Sequence, residues 1–334
     1  MDDKEKETTE SLRMRLILVC FFFICFFNMG FSSGPAKLKE KIKSLVTPKM
    51  SSKEKKQWCH SLEHSIHFYQ WKWDSCKKLD WKVLGKSVQN RPLTYLTYGP
   101  ENAKNTTLIF TMVHSDEITP LYIGLRLTDW LEEHASSFTN QRVILAPLVN
   151  PDGFFRKRKT RVNANKVDVN RNFPTADWND DAIELWKKKF RSNPRRYPGK
   201  QANSEPETRF QIALIKKFKP QKILSVHAPL NFMDYDGPNI LSLAKFPKEY
   251  VKKCLQLRSK VNARSGGFYP GSLGNYAGQE RSIPTLTLEL PSADYSKGLK
   301  YWNQFKNGIK TVIEFEVPPT LQGLPSKESK KQFF

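Results

Sequence analysis

The sequence predicts an α/β fold in which helices cover a buried, mostly parallel sheet. Short apolar runs rich in β-branched and aromatic residues alternate with helical stretches over most of the chain, which is typical of βαβ units. The 334 residues are 39% apolar and 12% aromatic. This is enough to bury one large core or two smaller ones, and it excludes a disordered chain. No internal repeat indicates a solenoid or a propeller.

The alternation divides into strands and helices of ordinary length. The predicted strands are residues 93–98, 106–113, 142–149, 222–226 and 284–290. The predicted helices are residues 120–135, 180–192, 205–218, 246–262 and 298–314. One helix has its own start signal, because Pro206 lies in its first turn and Ser204 with Glu207 gives the pattern of a capping box.

The N-terminal segment predicts export. Residues 16–27 are twelve consecutive apolar residues that follow Arg13 and Arg15 and precede small residues at 32–36. This order is typical of a secretory signal peptide, and the run is short for a spanning helix, which needs about 20 apolar residues. We therefore expect residues 1–34 to be a signal peptide or an N-terminal anchor. The protein is then periplasmic or secreted, and membrane-anchored if the segment is not cleaved.

The charge balance restricts the partners without selecting one. The chain has 55 Lys and Arg against 33 Asp and Glu, a net charge of +22, which favours polyanions such as an anionic cell wall. No nucleic-acid motif is present, so we expect no specific nucleic acid, and we interpret the basic run at 187–200 as a solvated face. Residues 35–80 are interpreted as a basic N-terminal extension, in which the Lys-rich residues 36–58 are a solvated linker or an exposed helix. Residues 318–334 are interpreted as a flexible tail.

Three cysteines remain after the predicted signal. In an oxidising compartment Cys59 and Cys76 can pair across a short loop, which would leave Cys254 as the odd residue and favour a buried position for it.

Residues able to carry chemistry follow the ends of separate predicted strands. His114 and Glu117 follow one strand, His227 ends another, and Glu289 lies near the end of a third. Because the carboxyl ends of strands form the ligand-binding edge of an open α/β sheet, we expect these side chains to lie close together. Taken singly each signal is weak, since His-x-x-Glu arises by chance and a lone histidine such as His227 is usually a core residue.

Ten segments, in order, resemble the zinc metallocarboxypeptidase family typified by carboxypeptidase A, and within it the bacterial branch of murein tripeptide amidases. The resemblance implies a carboxypeptidase-like fold over residues 81–317, namely a single α/β domain with a mixed, mostly parallel central sheet flanked by helices. The segments are GKSVQNRPL (85–93), HSDE (114–117), NPDGF (150–154), RKTR (158–161), DVNRNFP (168–174), RYPG (196–199), SEPE (204–207), SVHAPLNFMDYDGP (225–238), YPGSLGNYAG (269–278) and TLELP (287–291).

The resemblance implies one zinc ion per chain, held by His114, Glu117 and His227. Two histidines and one glutamate are the zinc ligands of carboxypeptidase A, and they leave a fourth position for the water that attacks the scissile carbonyl. Glu289 would act as general base and then as general acid. A carboxylate inside the apolar run TLTLELP is costly without such a role or a partner, and a structural ion pair is the alternative.

The resemblance also implies how substrate is bound. Arg161 matches the arginine that stabilises the developing oxyanion, and Asn170 with Arg171 matches the pair that binds a free terminal carboxylate. Tyr276 is matched to the mobile tyrosine that covers the substrate, with a packing role as the alternative.

The implied reaction is hydrolysis of the γ-D-glutamyl–diaminopimelate bond of murein peptides. A general metallocarboxypeptidase that acts on ordinary peptides is the first alternative, and a non-catalytic basic protein that binds the cell wall is the second. Asp234 and Asp236 are candidates for a pocket that reads the zwitterionic end of diaminopimelate, with a structural role equally open. The expected partners are a murein peptide or peptidoglycan and the anionic wall surface.

Overall fold

A computed structural model describes residues 50–238, 240–254 and 269–318, which belong to one compact unit. The predicted signal or anchor at 1–34 and nearly all of the predicted tail lie outside these residues. Within the described part of the chain, no helix is both long enough and apolar enough to cross a lipid bilayer.

A mixed sheet of seven strands lies at the centre of the fold. Its strands are β1 (Lys82–Lys86), β2 (Pro92–Tyr98), β3 (Asn105–Phe110), β4 (Gln141–Ala146), β5 (Lys222–His227), β6 (Phe232–Asp236) and β7 (Thr285–Glu289). The strand order is β1-β2-β4-β3-β5-β7-β6. The four central strands β4, β3, β5 and β7 are parallel, and β1, β2 and β6 at the two edges are antiparallel to their neighbours. The predicted α/β architecture is confirmed.

Helices cover both faces of this sheet. They are α1 (Ser52–His67), α2 (Ile118–His134), α3 (Pro151–Phe154), α4 (Trp178–Lys188), α5 (Pro206–Phe218), α6 (Lys248–Lys252) and α7 (Gly298–Glu314), with a π-helical turn at Gly274–Gln279. Side chains alternate along the strands, so that Ile109 joins the core on the α2 and α7 face while Leu108 and Phe110 join the core on the α5 face. The two cores hold the central strands, and therefore their carboxyl ends, in fixed positions.

Residues 50–80, within the predicted N-terminal extension, pack on the main fold. Helix α1 begins with a capping box between Ser51 and Glu54 and buries Trp58, Leu62 and Ile66 against the main core. The structure pairs Cys59 with Cys76 in a disulfide. That pairing agrees with the sequence interpretation, and Cys254 is buried as expected.

The predicted capping box of α5 does not form. The helix begins at Pro206 and its N-cap residue is Glu205, which makes no side-chain capping bond. The Ser204 hydroxyl instead donates to Glu205 Oε1 at 2.6 Å, and Glu207 turns inward to accept from Asn163 Nδ2 at 2.8 Å. Tertiary hydrogen bonding has replaced the local cap.

Candidate metal centre and active site

Three buried side chains meet at the carboxyl edge of the parallel strands. His114 follows β3, Glu117 is the residue that precedes α2, and His227 is the last residue of β5. Their exposed fractions are 2%, 5% and 2%, so all three are withdrawn from solvent. Because β3 and β5 are adjacent and parallel, their ends bring the three side chains together.

The three side chains fit a zinc ion. His114 Nδ1 lies 2.8 Å from Glu117 Oε1, His227 Nδ1 lies 3.0 Å from Glu117 Oε2, and the two Nδ1 atoms are 3.1 Å apart. A tetrahedral ion with bonds of about 2.0–2.1 Å separates its ligand atoms by roughly 3.3 Å. Two imidazole nitrogens and one carboxylate, whose ligand atoms all lie within 4.8 Å of one another, form a donor set suited to zinc.

The opposite nitrogen of each imidazole has its own partner. His114 Nε2 lies 3.0 Å from Asp168 Oδ1, and His227 Nε2 lies 2.9 Å from the Ser225 hydroxyl. Such partners fix the ring orientation and keep Nδ1 directed at the metal position. Neither Asp168 nor Ser225 is among the site residues predicted from the sequence. The position of Asp168 two residues before Asn170 was the available signal for it, whereas Ser225 becomes visible only from the two-residue period of β5.

The charges around the centre are balanced by Arg161. Its Nη1 donates to Glu117 Oε1 at 3.0 Å and its Nε donates to Asp168 Oδ2 at 2.9 Å. Although burial opposes ionisation of Glu117, His114 and His227 hold the pKa of that carboxyl well below its ordinary value. Burial likewise opposes ionisation of Asp168, yet Arg161 and His114 hold its pKa well below the ordinary value. Both carboxylates are therefore charged when they face the metal position.

Glu289 lies beside the three residues as the last residue of β7. The parallel pairing of β5 and β7 aligns Glu289 with His227, and the Leu230 amide donates to Glu289 Oε2 at 3.4 Å. Burial raises the pKa of Glu289 above its ordinary value, and His227 partly offsets this effect. A carboxyl group tuned in this direction is suited both to accept and to return a proton.

Asn170 and Arg171 lie in a short 3₁₀ turn next to Asp168. Asp168 Oδ1 accepts from the Asn170 amide at 3.1 Å, and Asn170 Oδ1 accepts from the Leu273 amide at 2.8 Å. Arg171 is 8% exposed, its Nε has no hydrogen-bond partner among the described residues, and burial lowers its pKa to about 10. A buried guanidinium with an unused donor is suited to bind an anion.

The structure does not place Tyr276 at this site. Its side chain is 2% exposed, packs on Phe173 with ring centroids 5.3 Å apart, and lies under the Arg281 guanidinium at 3.5 Å. These contacts favour the packing alternative for Tyr276 over a substrate-covering role. The tyrosine next to Arg171 is Tyr269, whose ring centroid lies 4.5 Å from the guanidinium.

Asp236 also has a structural position. It is 6% exposed, accepts from Gln279 Nε2 at 3.1 Å, and lies under the π-helical turn, where a Cβ on Gly274 would meet its carboxylate at 1.9 Å. Burial and the neighbouring Asp234 raise the pKa of Asp236 to about 8. These contacts favour the structural interpretation of Asp236 over a substrate-pocket role.

Comparison with known proteins agrees with this geometry. The model of the family described as zinc carboxypeptidase matches residues 74–332. The chain belongs to the zinc carboxypeptidase family. Family membership makes it a hydrolytic enzyme and implies zinc at the His114–Glu117–His227 centre.

Among the relatives that this chain resembles are two murein peptide amidases. Murein peptide amidase A of Vibrio campbellii is 33% identical over 214 residues, which cover 63% of this chain and 79% of the relative. Murein peptide amidase A of Escherichia coli K12 is 30% identical over 213 residues, 62% of this chain and 79% of the relative. The structure of bovine thrombin-activatable fibrinolysis inhibitor, in complex with tick carboxypeptidase inhibitor, superposes with a TM-score of 0.55 at 16% identity, covering 80% of this chain and 97% of that one. That likeness shows the shared fold.

Proposed function

We propose that this protein is a zinc-dependent hydrolase of murein peptides that cleaves the γ-D-glutamyl–diaminopimelate amide with one zinc ion per chain. The observation that carries the proposal is the buried His114–Glu117–His227 set with Glu289 aligned beside it on the neighbouring strand. The murein substrate is supported by the relatives named murein peptide amidase A.

Each side chain has a place in the reaction. When bound, zinc supplies Lewis-acid chemistry: it polarises the scissile carbonyl and acidifies water. Glu289 accepts the proton of the attacking water as the carbon–oxygen bond forms, and it returns that proton to the amine as the carbon–nitrogen bond breaks. Arg161 donates to the developing oxyanion through Nη2, which makes no hydrogen bond within the described residues.

Asn170 and Arg171 restrict the enzyme to chain ends. The unused Nε of buried Arg171 binds the free carboxylate of the terminal residue, and the Leu273 amide holds the Asn170 side chain beside it. The C-terminus of an ordinary peptide also has such a carboxylate. Murein peptides must therefore be compared with ordinary peptides, because cleavage of the latter would indicate a general metallocarboxypeptidase.

We further propose that the protein is exported and acts at the cell wall. The apolar run at 16–27 supports export, and the Cys59–Cys76 disulfide is typical of oxidising compartments. The net charge of +22 would hold the enzyme near an anionic wall. Fractionation of cells that express the full chain tests this point, since recovery of the protein only in the cytoplasm with reduced cysteines would contradict it.

The activity is tested with murein tripeptide and with ordinary N-blocked dipeptides, followed by mass spectrometry. We expect release of diaminopimelate from the tripeptide alone, loss of release with a chelator, and recovery with zinc. Release of ordinary terminal amino acids at a comparable rate would overturn the proposed substrate in favour of a general carboxypeptidase.

The role of Glu289 is tested by Glu289→Gln. Removal of the proton acceptor should lower kcat by about 10²–10⁴-fold while zinc content is unchanged, because the three ligands are intact. Glu249→Gln, at an exposed position on α6, is the matched control and should retain full activity. A Glu289→Gln enzyme that works at the wild-type rate would refute the assigned role.

A further inference from the structure

Two cations beside Arg171 have no role in the mechanism above. Lys189 Nζ lies 4.9 Å from the centroid of the Tyr269 ring, the same ring that Arg171 approaches at 4.5 Å. The Arg196 guanidinium lies 4.8 Å from the centroid of Phe190, whose ring is 5.8 Å from that of Tyr269. The adjoining rings of Tyr269 and Phe190 are therefore contacted by three cationic side chains, those of Arg171, Lys189 and Arg196.

The segment that carries Arg196 is attached to the catalytic centre. The Asp168 amide donates to the carbonyl oxygen of Tyr197 at 2.8 Å, and Asp168 is the residue that contacts both His114 and Arg161. Half-burial and the nearby Arg161 charge lower the pKa of Arg196. Arg196 therefore lies near Arg161 and Arg171, the two arginines to which the proposed function gives contacts with substrate.

These three cations lack counter-charges of their own. In the part of the chain that the structure describes, no carboxylate lies within ion-pair distance of Lys189, Arg171 or Arg196. The adjacent Arg195 differs, because it is paired with Asp116. The nearby Asp168 carboxylate attracts Arg171 and Arg196, but it is already paired with Arg161. Gathering three further cations beside it is unfavourable, and the cost is highest for the largely buried Arg171. An anionic ligand would remove that cost.

We propose that Arg196, assisted by Lys189, binds a second carboxylate of the substrate, separate from the terminal carboxylate bound by Arg171. The inference rests on the proposed function and specifies its substrate class: peptides with at least two carboxylates close to the scissile amide. Murein tripeptide has two such additional groups, the α-carboxylate of D-glutamate on the acyl side and the distal carboxylate of diaminopimelate on the amine side. An ordinary dipeptide with neutral side chains has neither.

The test compares three substrates that differ in one carboxylate. They are L-Ala-γ-D-Glu-diaminopimelate, its D-isoglutamine analogue without the α-carboxylate, and its L-lysine analogue without the distal carboxylate. Zinc-loaded full-length wild type is expected to prefer the first by about tenfold in kcat/KM over at least one analogue, as for loss of one charge-assisted hydrogen bond. Arg196→Gln should lose about tenfold on the first substrate and little on that analogue. The analogue that wild type cleaves more slowly lacks the carboxylate that Arg196 binds, and it therefore identifies that carboxylate.

Controls separate this role from a structural one. Lys200→Gln, an exposed change in the same basic segment, should leave all three rates unchanged. If Arg196→Gln does not fold, Lys189→Gln at its exposed position should show the same loss of preference at smaller size.

Two results would overturn the inference. One is a variant that slows all three substrates equally or none, and the other is a wild type that cleaves all three at equal rates. In both cases the proposed function stands. A wild type that cleaves only ordinary peptides would instead refute the proposed function, and the inference with it.

Discussion

Replacement of Asp168 by Asn tests the structure most directly, because one buried carboxylate joins three parts of the site. Asp168 is 0% exposed, and its Oδ1 contacts His114 Nε2 at 3.0 Å while its Oδ2 accepts from Arg161 Nε at 2.9 Å. Asn has almost the same shape but only one acceptor oxygen. One of the two donors must then face an amide NH₂, and the negative charge opposite Arg161 is lost.

The expected effects follow from these contacts. Loss of a carboxylate that holds a metal-binding histidine lowers metal affinity by about 10–100-fold, which corresponds to about 1.4–2.7 kcal/mol. Removal of one partner from a buried ion pair lowers the free energy of unfolding by about 3–5 kcal/mol. Arg161 also loses one of its two carboxylate partners and keeps only Glu117, so we expect kcat to fall even when zinc is saturating.

Three measurements check the prediction: zinc affinity by competition with a chromophoric chelator, urea unfolding of the metal-free protein, and kcat at saturating zinc. Asp180→Asn, at an exposed position in α4, is the control for loss of one negative charge and should match wild type in all three. A variant of Asp168 with zinc affinity within twofold of wild type and an unchanged kcat would refute the claim that this carboxylate orients His114 and Arg161.

Two further predictions concern the surroundings of the site. Gly271→Ala should raise KM about tenfold and lower the free energy of unfolding by about 1–3 kcal/mol, because Gly271 has a φ of +74° and its new Cβ would lie 2.1 Å from the Arg171 carbonyl oxygen. Gly85→Ala, at a φ of +104° where a new Cβ would make only an ordinary contact with Leu93 Cδ1 at 4.0 Å, is the kinetic control, and an equal change in KM there would contradict the explanation. Burial raises the pKa of Glu207 from 4.5 to about 7. Between pH 4.5 and about pH 7 the folded chain therefore keeps a proton that the unfolded chain has lost. The free energy of unfolding falls as pH rises through this range. Glu207→Gln should therefore gain stability relative to wild type between pH 5 and pH 8 in urea unfolding, and parallel curves for the two proteins would be inconsistent with the raised pKa.

The elements predicted from sequence are the ones with strong local patterns. The five predicted strands are present, with ends shifted by a few residues, because buried parallel strands are continuous apolar runs. The edge strands β1 and β6 were missed, since KVLGK and FMDYD mix charged and apolar residues. Helix α6 covers only Lys248–Lys252 of the predicted helix at 246–262: Lys253 and Cys254 are not helical, and residues 255–262 lie outside the described residues.

The site residues with strong sequence motifs were likewise predicted, and those without a distinguishing pattern were not. His114, Glu117, His227 and Glu289 have matching motifs and adjoin strand ends, and the structure brings them together, whereas their catalytic roles stay predictions. Tyr276 and Tyr269 occur in one motif, YPGSLGNYAG, and no sequence pattern distinguishes the tyrosine that contacts Arg171 from the one that packs in the core.

By itself the sequence determined the alternation of strands and helices, the order of the motifs and the residue types available at the strand ends. These properties depend on neighbours a few positions apart, which is the range over which backbone preference and side-chain periodicity act. Only the tertiary structure decided that Asp168 contacts His114 across 54 positions, that residues 50–80 join the core, and that Lys189, Arg171 and Arg196 share adjoining rings. Such contacts form between segments distant in sequence, and the strand order of the sheet, which places those segments side by side, is a property of the folded chain.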